Sequence, residues 1–408
     1  MSRSCPRDRG DGGFTLIEVT VAMTVLVLIL AMSGTLLYSM KSFAQKQQSF
    51  AEPRQTARRA MNYLAYYVRG ASDMNMADGE APMPNALVTY YELNGARKQA
   101  TYNNVASATL ANVGTDLITV AKPLPGSSPM KIQNFITSTS ASALFTQGCG
   151  NSNDDTTNKS LFKQAVGYDA TTQTSPLFLI YNPVGAWQYY QITAEPTCNC
   201  ANLNSSPSVI GLTLAAGGAG SLNLNPPGET TPVALNCTDG DPCYMTAGMQ
   251  FITFRVRTVN GTPRLEQLAL PGRLFDASQD GPGNSFTPLL DNVEDLQLAY
   301  IYGDGTIWNT GTAGRDLATA SSTNYPDDVP YMQQEGVVAN PYDAVNVRGV
   351  RISVVARSAA PIPTFLGGAT ARSVPATPPE DSAAAYAQGY YHYRLTSTIM
   401  IQNRVLGN

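Results

Sequence analysis

Residues 12–32 read GGFTLIEVTVAMTVLVLILAM, a pair of glycines followed by an apolar run that carries a single charge, Glu18. Val19–Leu37 alone is uncharged and nineteen residues long, about 28 Å as a helix and close to the hydrocarbon thickness of a bilayer. A carboxylate at mid-membrane is disfavoured by roughly 2.5–3.5 kcal/mol, and a plain anchor gains nothing from one. A secretory signal peptide has a shorter apolar region, about 7–15 residues, with its small-residue cleavage site after it. Here the small pair, Gly12-Gly13, comes first. An ordinary signal anchor accounts for the length and leaves Glu18 unexplained.

Outward from that run the chain is polar on one side and amphipathic on the other. Residues 1–13 carry three arginines against two aspartates, which favours a cytoplasmic N-terminus with everything after Tyr38 outside. Phe43, Phe50, Ala57, Met61, Leu64 and Val68 recur at spacings of seven, four and three, a helical stripe. Lys41, Lys46, Gln48, Arg54, Arg58 and Arg59 fall on other faces, and Arg58-Arg59, the densest basic pair, reads as a solvated helix face. Pro53 is expected to kink or break the helix, and Gly70 in VRGASD to cap it. Phe14 to Arg69 then forms one helix of about 84 Å if unbroken.

The rest of the composition narrows the chemistry. The chain has 408 residues, room for two or three domains or one large elaborated one. Only 14% of residues are charged, against about 25% in a typical soluble domain. With 34 glycines and 27 prolines, long loops and turns are expected rather than helical bundles. A net charge of −4 with scattered basic residues gives no reason to expect nucleic acid. His392 is the single histidine, so most metal chemistry and any Ser-His-Asp or Cys-His site would have to use it. It lies in the β-rich GYYHYRLTSTIMIQ and is expected to be a strand residue.

Six cysteines are present, Cys5 before the apolar run and Cys149, Cys198, Cys200, Cys237 and Cys243 after it. If the run crosses a membrane, those five lie outside the cytoplasm, where disulfides persist. CTDGDPC would close a short loop between Cys237 and Cys243, for which chain entropy predicts roughly 2–3 kcal/mol. Five is odd, so at least one thiol stays free or pairs outside the chain. Zinc is disfavoured by the oxidising side and the lack of a nearby histidine. YGDGT (302–306), CTDGDPC and NSNDDTTN (151–158) are acid-bearing turns that do not fit a calcium loop. No G-x-S-x-G element, phosphate loop or H-E-x-x-H occurs and the carboxylates are dispersed, so neither an enzyme nor a cofactor is expected.

Gly13 followed by FTLIEVTVAM resembles the prepilin signature of type IV pilins and type II secretion pseudopilins. In that family a peptidase at the cytoplasmic face cuts after the glycine and N-methylates the new first residue, usually phenylalanine. The resemblance therefore implies cleavage between Gly13 and Phe14, methylation of Phe14, and Glu18 as the fifth residue of the mature chain. It also implies a role for the acid: when subunits stack, Glu18 of one meets the Phe14 amine of a neighbour, so that each buried charge has a partner. Ser33-Gly34-Thr35 falls where major pilins often carry a helix-weakening residue, although glycine is also common in membrane helices generally.

Residues 71–408 read as strands and loops. FITFRVRTVNGTPRLEQLAL (251–270) alternates Ile252, Phe254 and Val256 against Thr253, Arg255 and Arg257, then turns near Asn260-Gly261, a strong hairpin cue. Further strands are expected in 116–121, 177–182, 187–193, 296–303, 347–358 and 392–405, with Gly/Pro/Ser/Thr-rich loops between them. LLDNVEDLQLAYIYGDG, VNVRGVRISVVARS, YHYRLTSTIMIQNRV and the helical RQTARRAMNYLAYYVRGA resemble blocks of the PilW group of minor pilins. These blocks cover under half of the chain, and residues 130–247, which hold the five later cysteines, match nothing in that group.

The two resemblances imply an α+β, type IV pilin-like fold: a long N-terminal helix, half membrane-embedded and half amphipathic, packed on an antiparallel β-sheet head. The expected divisions are a leader (1–13), a transmembrane and assembly half-helix (14–38), a stalk helix (39–70) and a head (71–408) with a cysteine-containing insertion at about 130–247. They imply a minor pilin that primes pilus assembly at the tip, anchored in the inner membrane with its head periplasmic and later extracellular. The implied partners are the prepilin peptidase/methyltransferase, other minor and major pilins, the inner-membrane assembly platform and a tip adhesin. A minor pseudopilin of a type II secretion system shares the N-terminal chemistry but usually has a smaller head. An exported binding or enzymatic domain on an ordinary signal anchor is the third reading.

Overall fold

The structure, a computed structural model, describes residues 15–70, 87–88, 90–93, 96–102, 105, 107–124, 130–135, 140–144, 160, 162–164, 166–171, 173, 175–181, 187–199, 209–215, 222–223, 243–246, 248–271, 274–275, 286–302, 307–308, 347–362 and 386–401. The chain divides into two compact units, Met1–Ala51 and Glu52–Asn408. A single helix, α1 (Leu16–Gly70, 55 residues), contributes to both and runs through Pro53 as one element. Gly70, the expected cap, is its last residue.

In the first unit every described residue from Thr15 to Lys41 is solvent-exposed apart from the membrane the sequence implies, and Phe43 and Phe50 are exposed too. In the second unit Pro53, Ala57, Ala60, Met61, Leu64, Ala65 and Val68 are buried at three- and four-residue spacing. The packed stripe thus begins at Pro53, and the two phenylalanines assigned to it from sequence are outside it.

Eighteen strands follow among the described residues. They are β1 (Tyr90–Leu93), β2 (Ala96–Gln99), β3 (Ile118–Pro123), β4 (Met130–Phe135), β5 (Ser140–Leu144) and β6 (Phe178–Tyr181); β7 (Trp187–Ile192), β8 (Thr197–Asn199), β9 (Val209–Ala215), β10 (Leu222–Asn223), β11 (Cys243–Met245) and β12 (Met249–Val259); and β13 (Thr262–Pro271), β14 (Thr287–Asp291), β15 (Val293–Tyr302), β16 (Ile307–Trp308), β17 (Val347–Arg357) and β18 (His392–Met400). All pairings between them are antiparallel, and the architecture is α+β, as expected.

Two four-stranded sheets share one core with the second-unit part of α1. Their orders are β14-β13-β12-β3 and β16-β15-β17-β18. Met61, Leu64 and Val68 meet Ile118, Ile252, Phe254 and Val256 from the first sheet and Leu296, Leu298, Ile352 and Val354 from the second. The alternation Ile252-Phe254-Val256 faces that core as the sequence pattern requires. The opposite face of β12 is buried as well. Thr253 hydrogen-bonds Thr119 (2.9 Å), and Arg255 pairs with Glu266 (2.9 Å) beneath the Phe286 ring, 3.5 Å from its centroid. Burial pulls the Arg255 pKa below its usual value, and Glu266 acts against that shift. The β12–β13 hairpin turns on Asn260 (φ 50°) and Gly261 (φ 76°), two left-handed residues of the kind a two-residue turn demands.

The region that matched no known block is a β-barrel. Strands β5, β4, β11, β6, β7 and β9 pair in that order, and β5 pairs back with β9 over Ser140–Leu144, closing a ring of six. Phe178, Ile180, Tyr190, Ile192, Leu212, Leu214, Cys243 and Met245 fill the interior, joined by Phe162 and Val166. The alternate residues of the same strands, Leu179, Tyr181 and Tyr189, point outward into a second core with Val88, Ala121, Met249 and Phe251. β6 is therefore buried on both faces. Of these strands the sequence pattern picked out only β6 and β7.

Candidate functional site

Glu18 is exposed in the first turn of α1, and a local hydrogen-bond pattern fixes its carboxylate. The Thr15 backbone N–H donates to Glu18 Oε2 (2.9 Å), and the Thr15 hydroxyl donates to the same oxygen (3.0 Å). The Glu18 N–H reaches back to Thr15 Oγ1 (3.3 Å). This reciprocal T-x-x-E arrangement is a capping box, which satisfies donors at the helix start that have no intrahelical acceptor. The acid also sits at the positive end of the helix dipole. Its signal was legible as Thr15 and Glu18 three residues apart, but the sequence reading assigned the acid only to charge pairing. Glu18 Oε1 takes no part in the cap. Gly13 and Phe14, the residues assigned to cleavage and methylation, lie outside the described residues.

Further along α1 three threonine hydroxyls inside the apolar run bond to their own helix backbone. Thr20 donates to the Leu16 carbonyl (2.7 Å), Thr24 to that of Thr20 (2.6 Å) and Thr35 to that of Met32 (2.8 Å). These three hydroxyls are spent on the backbone, which lowers their cost in an apolar surrounding. α1 is long and apolar enough to cross a membrane by length and composition. Gly34 stays helical, and beyond its own stretch of helix backbone nothing lies within 4 Å of where a Cβ would stand.

Of the cysteine candidates, Cys243 lies buried in the barrel and is disulfide-bonded. Cys198 belongs to β8, but its side chain is not described. Cys149, Cys200 and Cys237 lie outside the described residues, as do NSNDDTTN and most of CTDGDPC and YGDGT. Among the described residues no three His, Cys, Asp or Glu side chains gather into a metal-binding group.

His392 opens β18 as a strand residue, and it belongs to a buried polar cluster that the sequence did not announce. Glu294 on β15 binds His392 Nε2 through Oε2 (2.6 Å) and the Arg357 guanidinium through Oε1 (3.0 Å). Arg357 also donates to the Gly261 carbonyl (2.8 Å) and stacks over Tyr390, 4.2 Å from its centroid. The Tyr386 hydroxyl donates to Asp295 (2.7 Å). The cluster ties the C-terminal segment to β15 and β17. It binds the fold together.

Comparison with known proteins bears on the N-terminal segment. Residues 8–34 match the prokaryotic N-terminal methylation motif, a span that includes Gly13, Phe14 and Glu18. No curated protein matches the chain. A type IV-like pilin from Thermus thermophilus is a structural neighbour at 13% identity, over 60% of this chain and 96% of that one. Its TM-score of 0.20 is too low for the likeness to carry an argument. The chain thus has a methylation-type N-terminus leading into a long helix whose first part is apolar enough to cross a membrane.

Proposed function

We propose that this protein is a minor pilin of a type IV pilus, a structural subunit rather than an enzyme. The observation that carries the reading is the methylation motif at residues 8–34 running directly into a 55-residue helix whose first part is apolar on every side. Prepilin peptidase removes residues 1–13 and methylates Phe14. The precursor sits in the inner membrane with its N-terminus cytoplasmic and its head periplasmic. On assembly the exposed apolar helix exchanges lipid for the helices of other minor and major pilins, and the subunit acts with them at the tip.

Glu18 serves both the helix and the assembly. Oε2 holds the cap on Thr15, while Oε1 is open to an outside cation. The Phe14 amine of a neighbouring subunit supplies that cation, so neither charge is buried alone. Outside the membrane the disulfide at Cys243 fits an oxidising compartment, and Cys237 is its proposed partner.

N-terminal sequencing of the mature protein tests the reading. A start at N-methylated Phe14 is expected, and an intact Met1 or a cut elsewhere would sink it. A deletion strain scored for twitching and for secretion then separates pilus from type II system. Loss of secretion with normal pili would move the protein to the pseudopilins.

A further inference from the structure

We infer that the outer face of α1 between Arg58 and Arg69 is a docking surface for the net-acidic head of a neighbouring subunit. The inference rests on the reading of the chain as a filament subunit, and it names a contact which that reading leaves open.

Arg58, Arg59, Asn62, Tyr63, Tyr66 and Arg69 recur at three- and four-residue spacing and are all exposed, opposite the buried stripe of Ala57, Met61, Leu64 and Val68. From Pro53 to Gly70 the helix has four arginines and no acid. Arg58 and Arg59 therefore have no counter-charge one turn away on either side. Arg54 and Arg58, four residues apart, repel each other. The negative end of the helix dipole helps only the last turn, which reaches Arg69 and not the arginine pair. No hydrogen bond or ion pair engages Arg58 or Arg59 among the described residues. Lys122 adds a further cation, lying 4.6 Å from the Tyr66 ring centroid and donating to its hydroxyl at 3.4 Å.

The aromatic half of the face is preorganised. Tyr66 is 61% exposed and Tyr63 37%, unusual for rings of that size. Tyr63 is held by a hydrogen bond to Gln267 (3.2 Å), and its ring lies 5.2 Å from that of Tyr67, which in turn lies 5.2 Å from Phe254. Held tyrosines beside arginines are the composition of interface hot spots, and they lose little side-chain freedom when covered.

The occupant follows from charge. Residues 71–408 carry 26 acids against 17 basic residues, while 14–70 carry six basic residues against two acids. A subunit of this make-up carries a basic aromatic helix face and a net-acidic head, so a second copy set beside it is complementary in charge. An anionic membrane is the lesser fit. Arg58 lies twenty residues past Tyr38, the end of the apolar run, and the attraction of a charged surface fades within a Debye length.

The test places a photo-crosslinking residue at Asn62, in the full chain in its native envelope, with Arg58 and Arg59 left intact, changed to lysine, or reversed to glutamate. Ultraviolet light is expected to give a protein–protein adduct whose partner peptide is rich in Asp and Glu. Arg58→Lys/Arg59→Lys should keep most of the yield, while Arg58→Glu/Arg59→Glu should cut it about tenfold or more. Adducts to lipid alone, or a yield indifferent to charge reversal, overturn the inference. N-terminal sequencing of the same samples separates the two failures. A chain cut at Gly13 and present in filaments without the adduct refutes this contact only, whereas an uncut chain refutes the subunit reading and this contact with it.

Discussion

Glu18 is where an electrostatic reading and a capping reading meet on one side chain, and substitution can part them. Glu18→Ala removes the charge and the carboxylate half of the capping box together; Glu18→Gln keeps an acceptor able to cap and removes only the charge. Both variants are expected to be cut after Gly13. Both should be recovered in sheared filaments about tenfold less than the parent, because an amine buried without its carboxylate costs more than a lost cap. Normal incorporation of Glu18→Gln would leave capping as the acid's whole role. Arg255 poses the converse problem, a charge deep in the head whose partner is also buried. Arg255→Met strands Glu266, and a loss of about 3–5 kcal/mol is expected in urea unfolding. Arg255→Met/Glu266→Leu should recover much of that loss, since two apolar groups need no counter-charge.

Single elements show what sequence discloses and what it withholds. α1 was legible because its signals are local: an unbroken apolar run, then a stripe at helical spacing. The β12–β13 hairpin was legible because Asn260-Gly261 joins two alternating runs. The barrel was not. Its strands are three to seven residues long, and its closure joins segments far apart in the chain, Ser140–Leu144 with Val209–Ala215 and Cys243–Met245 with Met130–Phe135. No local pattern encodes such pairings. Phe43 and Phe50 fit the helical period yet lie outside the buried stripe, since period alone cannot tell where packing begins. Two glycines then test two kinds of fit. Gly261 has open space where a Cβ would stand but a φ of 76°, so Gly261→Ala should cost about 1–2 kcal/mol, and Gly261→Asn should cost far less. At Gly248 a Cβ would lie 2.5 Å from the Val166 carbonyl oxygen. Alanine and asparagine should therefore be equally harmful there, by roughly 1–3 kcal/mol. Thermal melts of the four variants in detergent check both patterns.

At the scale of the second unit, the question is whether the barrel is a separable ornament or part of one cooperative structure. It has an interior core of its own, which favours independence. Against that, β6 and β7 turn Leu179, Tyr181 and Tyr189 into a core shared with Phe251 of β12 and Ala121 of β3. Opening the barrel would strip one side of that shared core, so neither part can unfold without exposing apolar surface on the other. The chain carries only two tryptophans, Trp187 in β7 of the barrel and Trp308 in β16 of the sheet beside α1. Trp308→Phe leaves a probe of the barrel alone, and Trp187→Phe leaves a probe of the helix-backed sheets. Coincident urea midpoints in the two variants are expected while Cys243 stays disulfide-bonded. With reductant present, the second unit loses a cross-link worth roughly 2–3 kcal/mol if Cys237 is the partner. If the shared core couples the parts, both midpoints must fall together. An early transition seen by Trp187 alone would instead show that the inner core of the barrel sustains itself, and that the interface through β6 transmits little.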